Sequence, residues 1–351
     1  MKVTAKMIAE QLGMSTATVD RVLNNRKGVS EKTVRKVRAK AKELGYRPNR
    51  AAKFLSTQRL IHIAFILPVV PDYFWGGELD KEIKKAAYMY EDFGFNIEVH
   101  RIHTIPNNEQ VQYLEKLIEK GKYDAFAIAP HDAGPFEELI NQAIEANIPV
   151  FTVNTDVPNS KRIAYVGSNY FDAGYLAAEL IYLFKENLTS VILIRDLEDT
   201  FQMKHKERGF LAFFQDHDLD VEIQTLYFSQ SAYTNSQHIK EVMEKEADTL
   251  KRTDAIYVAS GILGEIKNYW SWSTKHIIIG HDINQAIYDS MKKGVVTATI
   301  CQDPMAQATI TLQKVTDYML EEQSGQVDDH IVKLEIATKA NAKYYLDTAN
   351  K

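Results

Sequence analysis

The spacing of apolar residues divides the chain into two parts. Over residues 1–60, apolar side chains recur three and four positions apart, which predicts short helices with one buried face. From residue 61 onward, short apolar runs alternate with such helical stretches, which predicts strands alternating with helices. The apolar run at 61–70 is interrupted by His62 and Pro68 and is too short to cross a bilayer. We therefore expect a helical head, an α/β body and no membrane segment.

The apolar pattern of the head predicts three short helices. Each follows a serine or threonine whose side chain can accept a free N–H of the first turn. These capping residues are Thr4, Ser15 and Ser30, and Gly13 ends the first helix. The inward-facing residues are Met7, Ile8 and Leu12 in the first helix, Val19, Val22 and Leu23 in the second, and Val34, Val37 and Ala41 in the third. Two helices joined by a glycine turn form a helix-turn-helix in DNA-binding proteins, although the same pair also occurs in ordinary helical cores.

Charge favours the DNA-binding interpretation of the head. Residues 1–60 contain 15 lysines and arginines and 4 acidic residues, whereas the rest of the chain contains 27 and 43. A basic end on an acidic body is typical of a nucleic-acid-binding module attached to a larger domain. The second helix would then enter the major groove, and its outward-facing residues are Thr16, Ala17, Thr18 and Arg21.

A short linker joins the head to the body. Pro48 favours an extended Arg47, and Asn49 can cap a helix from Arg50 to about Ser56. That helix has little to pack against, so it is either a frayed connector or a segment that folds only on DNA.

The body predicts two similar halves in which strands alternate with helices. Strands are expected at 61–67, 95–100, 125–129, 150–153, 191–194, 221–224, 255–258, 276–280 and 296–300. Helices are expected at 77–93, 108–120, 136–146, 172–186, 202–216, 234–246, 262–268, after Ile283, and at 304–322. The alternation restarts after 165–168, which indicates two doubly wound parallel sheets with helices on both faces and a cleft between the lobes. Ligands of such sheets bind beyond the carboxyl ends of the strands.

Three stretches of the head and linker carry a specific resemblance: residues 3–24, residues 29–33 and Leu44-Gly45-Tyr46-Arg47-Pro48-Asn49. Together they resemble the DNA-binding head of the lac repressor family of bacterial transcription regulators. The resemblance implies base reading in the major groove by Thr16, Ala17 and Arg21, and phosphate contacts by Thr4, Ser15, Thr18, Asn24, Ser30 and Thr33. It also implies that Asn49 belongs to a hinge that contacts DNA, and that Leu55 is wedged into the minor groove and kinks the operator.

The head departs from the family in two respects. Asp20 stands where the family usually has serine, and Thr16 and Ala17 are small, so few base contacts are expected from them. An Arg21 contact to guanine is the base contact that we expect, and the operator sequence stays open.

The body resembles the periplasmic-binding-protein-like (type I) sugar sensor of the same family. The matching stretches are 146–150, 164–169 with 173–174, 208–210, 279–282 and 298–302. The resemblance implies a helix-turn-helix domain at 1–47, a hinge helix and linker at 48–60, and an effector-binding domain at 61–351. The two lobes are expected at 61–166 with 303–331, and at 167–302 with 332–351.

The resemblance also assigns a sugar site to Asp72, Phe74, Trp75, Asn154, Lys204, Ser260, Asp282 and Gln302. Aromatic faces suit the apolar surface of a sugar ring, and the run from Asp72 to Trp75 offers them beside a carboxylate, although Phe74 or Trp75 could instead cover a helix end. Asn154, Lys204 and Ser260 replace residue types that are more common in the family, and the change from arginine to lysine loses the planar fork. A sugar or polyol is therefore expected, but its identity stays open.

Three other functions compete with that of a sugar-controlled regulator. An enzyme is disfavoured because the chain has no glycine-rich phosphate loop, nucleophile elbow or Cys/His metal spacing, and no cofactor or metal is expected. A transport binding protein would need export and no basic head. The alternative that stays open is the same class of regulator with a purine or another non-sugar effector, or one that depends on a corepressor.

The expected partners are double-stranded, palindromic operator DNA, a small effector and a second copy of the chain. One head would occupy each half-site, and the tail at 339–351 lacks a leucine heptad, so a dimer is expected rather than a tetramer. The single cysteine, Cys301, is consistent with a reducing compartment, and the amino-terminal residues lack an apolar export sequence. We therefore expect a cytoplasmic, nucleoid-associated repressor.

Overall fold

The computed structural model describes residues 3–23, 28–46, 60–69, 75–103, 109–198, 200–229, 236–266, 276–321 and 325–346. The head contains α1 (Ala5–Leu12), α2 (Thr16–Leu23) and α3 (Glu31–Glu43). The three predicted caps are confirmed. The side-chain oxygens of Thr4, Ser15 and Ser30 each accept the backbone N–H of the third residue of the following helix, at 3.3, 3.1 and 3.3 Å.

A small apolar core holds the three helices of the head together. Ile8, Val19 and Val37 are fully buried in it, one from each helix. Ala9 lies in this core, whereas Met7, which the sequence predicted as inward-facing, is only partly buried. The helical spacing allows either Met7 or Ala9 to face inward beside Ile8. The smaller side chain, that of Ala9, suits the close approach of α2.

The first sheet of the body has six parallel strands. They are β1 (Ile61–Pro68), β2 (Phe95–Ile102), β3 (Ala125–Ile128), β4 (Val150–Val153), β5 (Ala164–Gly167) and β11 (His330–Ile331), in the spatial order β11-β5-β4-β3-β1-β2. The helices α4 (Trp75–Glu91) and α13 (Pro304–Glu321) pack on one face of this sheet, and α5 (Glu109–Lys120) and α6 (Gly134–Glu145) pack on the other.

The second sheet also has six strands, with one antiparallel edge. They are β6 (Ser190–Asp196), β7 (Glu222–Phe228), β8 (Ala255–Val258), β9 (Ile277–His281), β10 (Ala298–Cys301) and β12 (Glu335–Thr338), in the order β12-β10-β9-β8-β6-β7. One face carries α7 (Tyr170–Phe184) and α8 (Phe201–Asp216). The other carries α9 (Ser236–Lys245), α10 (Ala247–Arg252), α11 (Leu263–Ile266) and α12 (Gln285–Lys292).

The chain passes between the two sheets three times: after β5, after β10, and between β11 and β12. The sequence did not predict β5, β11 or β12. The edge strands β11 and β12 are short and largely exposed, and they lack the continuous apolar run that marks β3 and β8. The segment before β11 is fixed by Arg162, whose guanidinium pairs with Asp156 and with Asp329 at 2.7 Å. The predicted combination of a helical head and two doubly wound lobes is confirmed, while the exact domain boundaries stay a prediction.

No helix in the described part of the chain is both long and apolar enough to span a membrane.

Candidate functional site

The predicted DNA-reading residues of α2 lie on its open surface. Thr16, Ala17 and Arg21 are exposed, while Val19 and Val22 of the same helix are buried. Thr18, which was expected to point outward, is only partly exposed, and its hydroxyl lies 2.8 Å from the hydroxyl of Ser15. The helix therefore presents a short polar strip with a single long basic side chain.

Five predicted phosphate contacts cluster at the amino-terminal ends of the three helices. They are Thr4 before α1, Ser15 and Thr18 at α2, and Ser30 and Thr33 at α3, where the two hydroxyls lie 2.9 Å apart. Helix amino termini present unpaired N–H groups and the positive end of the helix dipole, so they suit phosphate oxygens. Asn24, Asn49 and Leu55 fall outside the described residues, and their roles stay predictions.

Four predicted ligand residues lie just past the carboxyl ends of strands. Asn154 follows β4, Ser260 lies two residues after β8, and Asp282 and Gln302 follow β9 and β10. The Gln302 amide donates to both carboxylate oxygens of Asp282, at 3.0 and 3.3 Å. Asp72 and Phe74 lie outside the described residues. Trp75 is the first residue of α4, and its side chain is also outside the described part.

Lys204, the fifth predicted polar residue, is not in this group. It is exposed on α8, whereas Lys206, two residues further along, is 3% exposed and faces the second sheet. Two residues turn a helix by about 200°, which is why one lysine lies outside and the other inside. A sequence signal for Lys206 did exist, because it lies on the same helical stripe as the buried Met203 and Phe210.

Lys206 and Tyr170 join the four predicted residues in one group. The Lys206 ammonium donates to the carbonyl of Ala259 at 2.8 Å and lies 5.5 Å from the centre of the Tyr170 ring. We call these six residues the carboxyl-edge cluster: Asn154, Tyr170, Lys206, Ser260, Asp282 and Gln302.

The electrostatics of the cluster depend on Lys206 and Asp282. Burial raises the pKa of Asp282, and the positive charge of Lys206 and the Gln302 amide oppose that rise. Burial lowers the pKa of Lys206 to about 8, and the negative charges of Asp282 and Asp196 oppose the fall. The ring of the neighbouring His281 forms a hydrogen bond of 2.7 Å with the hydroxyl of Tyr257. Burial and the positive charge of Lys206 lower the pKa of His281 well below its usual value. The cluster thus holds one cation and one anion near each other beside a neutral imidazole.

Two buried polar atoms of the cluster have no hydrogen-bond partner among the described residues. They are the Asn154 amide nitrogen and the Ser260 hydroxyl, in side chains that are 1% and 2% exposed. An unpaired buried polar group costs about 1–3 kcal/mol, so both atoms are placed for a polar ligand or for water. Donors, a carboxylate and an ammonium at the carboxyl ends of strands from both sheets suit a small molecule with several hydroxyl groups.

Comparisons with known proteins match both parts of the chain. Residues 4–49 match the model of bacterial regulatory proteins of the lacI family, and residues 63–323 match the periplasmic binding protein domain. The chain is 24% identical over 346 residues to catabolite control protein A of Priestia megaterium, an alignment that covers 95% of this chain and 97% of that protein. It is 29% identical over 175 residues to the sucrose operon repressor of Streptococcus mutans, and this alignment spans half of each protein.

Solved structures share the fold of the body. A LacI-type regulator of Bacteroides fragilis superposes with a TM-score of 0.74 at 19% identity, covering 82% of this chain and 99% of that one. A solute-binding protein of Burkholderia graminis in complex with D-arabinose superposes with a TM-score of 0.70 at 20% identity, covering 82% and 98%. At this identity the likeness concerns the fold.

Proposed function

We infer the function of this protein from its family, because the chain belongs to the lacI family of bacterial regulatory proteins and carries a periplasmic binding protein domain behind the DNA-binding head. It is a DNA-binding transcriptional regulator, and the relatives it matches are named as regulators and not as enzymes. Our proposal is that a sugar or polyol bound at the carboxyl-edge cluster controls its binding to an operator.

The observation that supports this ligand class is the pair of unpaired buried atoms, Asn154 Nδ2 and Ser260 Oγ, beside Asp282. A hydroxyl group both donates and accepts, so one polyol can satisfy the unpaired donor and the carboxylate together. The relatives support the same class, since one is named as the repressor of a sucrose operon. Calorimetry of the full chain against monosaccharides, polyols and purine bases tests the proposal. Binding of a purine base but of no sugar or polyol would contradict it.

The arrangement of the lobes supports a mechanism for control. Thr155, which follows β4 of the first sheet, accepts a hydrogen bond at 2.6 Å from Gln202 of α8, which packs on the second sheet. A ligand at the cluster would touch residues of both lobes and favour one relative placement of them. Only a ligand with different affinities for the DNA-competent and DNA-incompetent states can change operator occupancy.

We further propose that two copies of the chain bind a palindromic operator. Large apolar side chains on the open face of α4 support a contact between copies, since Tyr88 is 76% and Met89 57% exposed. Exposed apolar groups on one helix are typical of a surface that a partner covers. Two heads held in this way would each place an α2 in the major groove of one half-site.

The first prediction concerns Arg21, the single long basic side chain on the open face of α2. Changing Arg21 to alanine should weaken operator binding by roughly 10- to 100-fold, because a bidentate contact to guanine contributes about 1–3 kcal/mol. Binding to random DNA should change much less. Footprinting across the genome identifies the operator, and gel shifts then measure both affinities.

The control for Arg21 is Lys36→Ala, which removes an exposed positive charge from α3. A lysine that contacts only phosphate should weaken operator and random DNA by similar factors. If Arg21→Ala behaved in the same way, base reading by Arg21 would be excluded.

The second prediction separates the two lysines of α8. Lys206→Met keeps the length of the buried side chain but removes its ammonium, so we expect sugar affinity to fall by at least about 10-fold. Lys204→Met should leave the affinity unchanged, because Lys204 lies on the exposed face of α8. Calorimetry with the tightest-binding sugar checks both variants. If Lys204→Met lost sugar affinity and Lys206→Met did not, the ligand site would include Lys204, as the sequence indicated.

A further inference from the structure

We propose that Tyr170 is the positioning residue that decides which face of the Asn154 amide meets the ligand. The inference rests on the proposed sugar or polyol site and deepens it. Tyr170 is the first residue of α7 and is 2% exposed, so its hydroxyl serves buried groups of the protein. It joins Asn154, which follows β4 of the first sheet, to Gln302, which follows β10 of the second sheet.

The hydroxyl of Tyr170 forms a hydrogen bond with the Tyr165 hydroxyl and also lies among three carbonyl or amide oxygens. It is 2.6 Å from the carbonyl oxygen of Asn154, 2.7 Å from the Asn154 amide oxygen and 3.4 Å from the Gln302 amide oxygen. The backbone of Asn154 is itself fixed, because its N–H donates to the carbonyl of Val166 at 2.9 Å and its φ is 63°. Asparagine tolerates this left-handed conformation better than most residues.

Counting protons assigns the Tyr170 hydroxyl to the Asn154 side chain. A phenol has a single proton to donate. The Asn154 carbonyl already has a second donor, the hydroxyl of Tyr165, which lies 2.7 Å from it and 3.0 Å from its other acceptor, the carbonyl of Ser168. The Gln302 amide oxygen is also within 3.5 Å of the Ser168 hydroxyl. The Asn154 amide oxygen has no other donor among the described residues, so the Tyr170 proton is best used there.

Holding the amide oxygen inward leaves the Asn154 NH2 group for the ligand. This nitrogen is one of the two unpaired buried atoms of the cluster. The ligand atom that meets it must therefore accept a hydrogen bond, as a hydroxyl or ring oxygen does and an ammonium group does not. Tyr170 thus selects, through Asn154, for an oxygen at this position and against a protonated amino sugar.

The test is a double-mutant cycle on sugar affinity. The probe is whichever of D-arabinose, D-ribose, D-glucose, D-galactose and myo-inositol binds the full chain most tightly in calorimetry. Tyr170→Phe should weaken its binding by about 10-fold, because the released amide can turn and loses its preset orientation. In an Asn154→Gly background, the same change should have no further effect. Glycine is chosen because it adopts a φ of 63° without strain.

A matched control is Tyr175→Phe, which removes a phenol hydroxyl from the same helix. The Tyr175 hydroxyl bonds to Asp216, away from the cluster, so sugar affinity should not change. Wild-type affinity in Tyr170→Phe would overturn the proposal, and so would losses that add in the Asn154→Gly background, because Tyr170 would then act on something other than Asn154.

A measurement without ligand separates this inference from the proposed function. In full chain labelled with ¹⁵N-asparagine, Tyr170→Phe should shift the side-chain NH2 resonances of Asn154, identified by their loss in Asn154→Gly. Tyr175→Phe should leave them in place. If no sugar or polyol bound, the proposed ligand class would fail, and the Asn154 resonances would still decide the role of Tyr170. Unshifted resonances in Tyr170→Phe would refute it.

Discussion

Changing Asp282 to asparagine is expected to weaken sugar binding by about 100-fold or more. The carboxylate accepts both bonds from the Gln302 amide and balances the charge of Lys206. Asparagine keeps the shape but replaces one acceptor with a donor and leaves the charge of Lys206 balanced by Asp196 alone. It also tolerates the backbone φ of 59° at this position, where alanine would be strained. Calorimetry with the tightest-binding sugar measures the loss.

The control is Asp289→Asn, which removes a carboxylate that pairs with Lys292 on α12. A pair of this kind, about half exposed, contributes little, so sugar affinity should stay at the wild-type value. Operator binding by Asp282→Asn in the absence of sugar should also be unchanged, because the head folds around its own core. Retained sugar affinity in Asp282→Asn would move the ligand away from the carboxyl-edge cluster.

Changing Gly174 to alanine is expected to destabilise the second lobe by about 3 kcal/mol or more. A methyl group at Gly174 of α7 would lie 1.8 Å from the carbonyl oxygen of Lys206 on α8, and one at Gly209 would lie 1.9 Å from the carbonyl oxygen of Phe171. Both clashes are with backbone, so the two helices must move apart. Because α8 carries Lys206, sugar binding should be lost together with stability. Urea unfolding measures the stability, and calorimetry measures the binding.

Gly134→Ala provides the matched glycine control. Gly134 begins α6, and a methyl group there would meet no atom within 4 Å. The free energy of unfolding of this variant should change by no more than about 1 kcal/mol, because only the helix preference of the residue changes. If Gly174→Ala were as stable as Gly134→Ala, the close packing of α7 on α8 would not exist in solution.

Much of the fold could be predicted because the relevant patterns are local. A capping hydroxyl followed by apolar residues three and four apart predicts a helix, as at Ser15 and at Ser30. Continuous apolar runs between helices predict buried parallel strands, as at β3 and β8. The edge strands β11 and β12 were missed because pairing with distant strands holds them in place, and their own residues carry little signal.

The candidate site was partly predictable for the same reason. The family resemblance selected Asn154, Asp282 and Gln302. Each directly follows a strand, and such a residue must lie at the carboxyl edge of a parallel sheet. The choice between Lys204 and Lys206 depended on how α8 is rotated against the second sheet. Gly174 and Gly209 allow the two helices to approach closely, with the carbonyl of Lys206 against Gly174.

By itself, the sequence determined the helical head, the alternating body, the division of charge between them and the strand ends at which polar groups collect. These features depend on side chains within one helical turn or one strand, or on composition. The tertiary structure alone decided which lysine is buried, that Tyr170 joins the cluster, and which atoms of Asn154 and Ser260 stay unpaired. Such outcomes depend on contacts between residues far apart in the chain, where a rotation of one helix by a single residue exchanges a buried group for an exposed one.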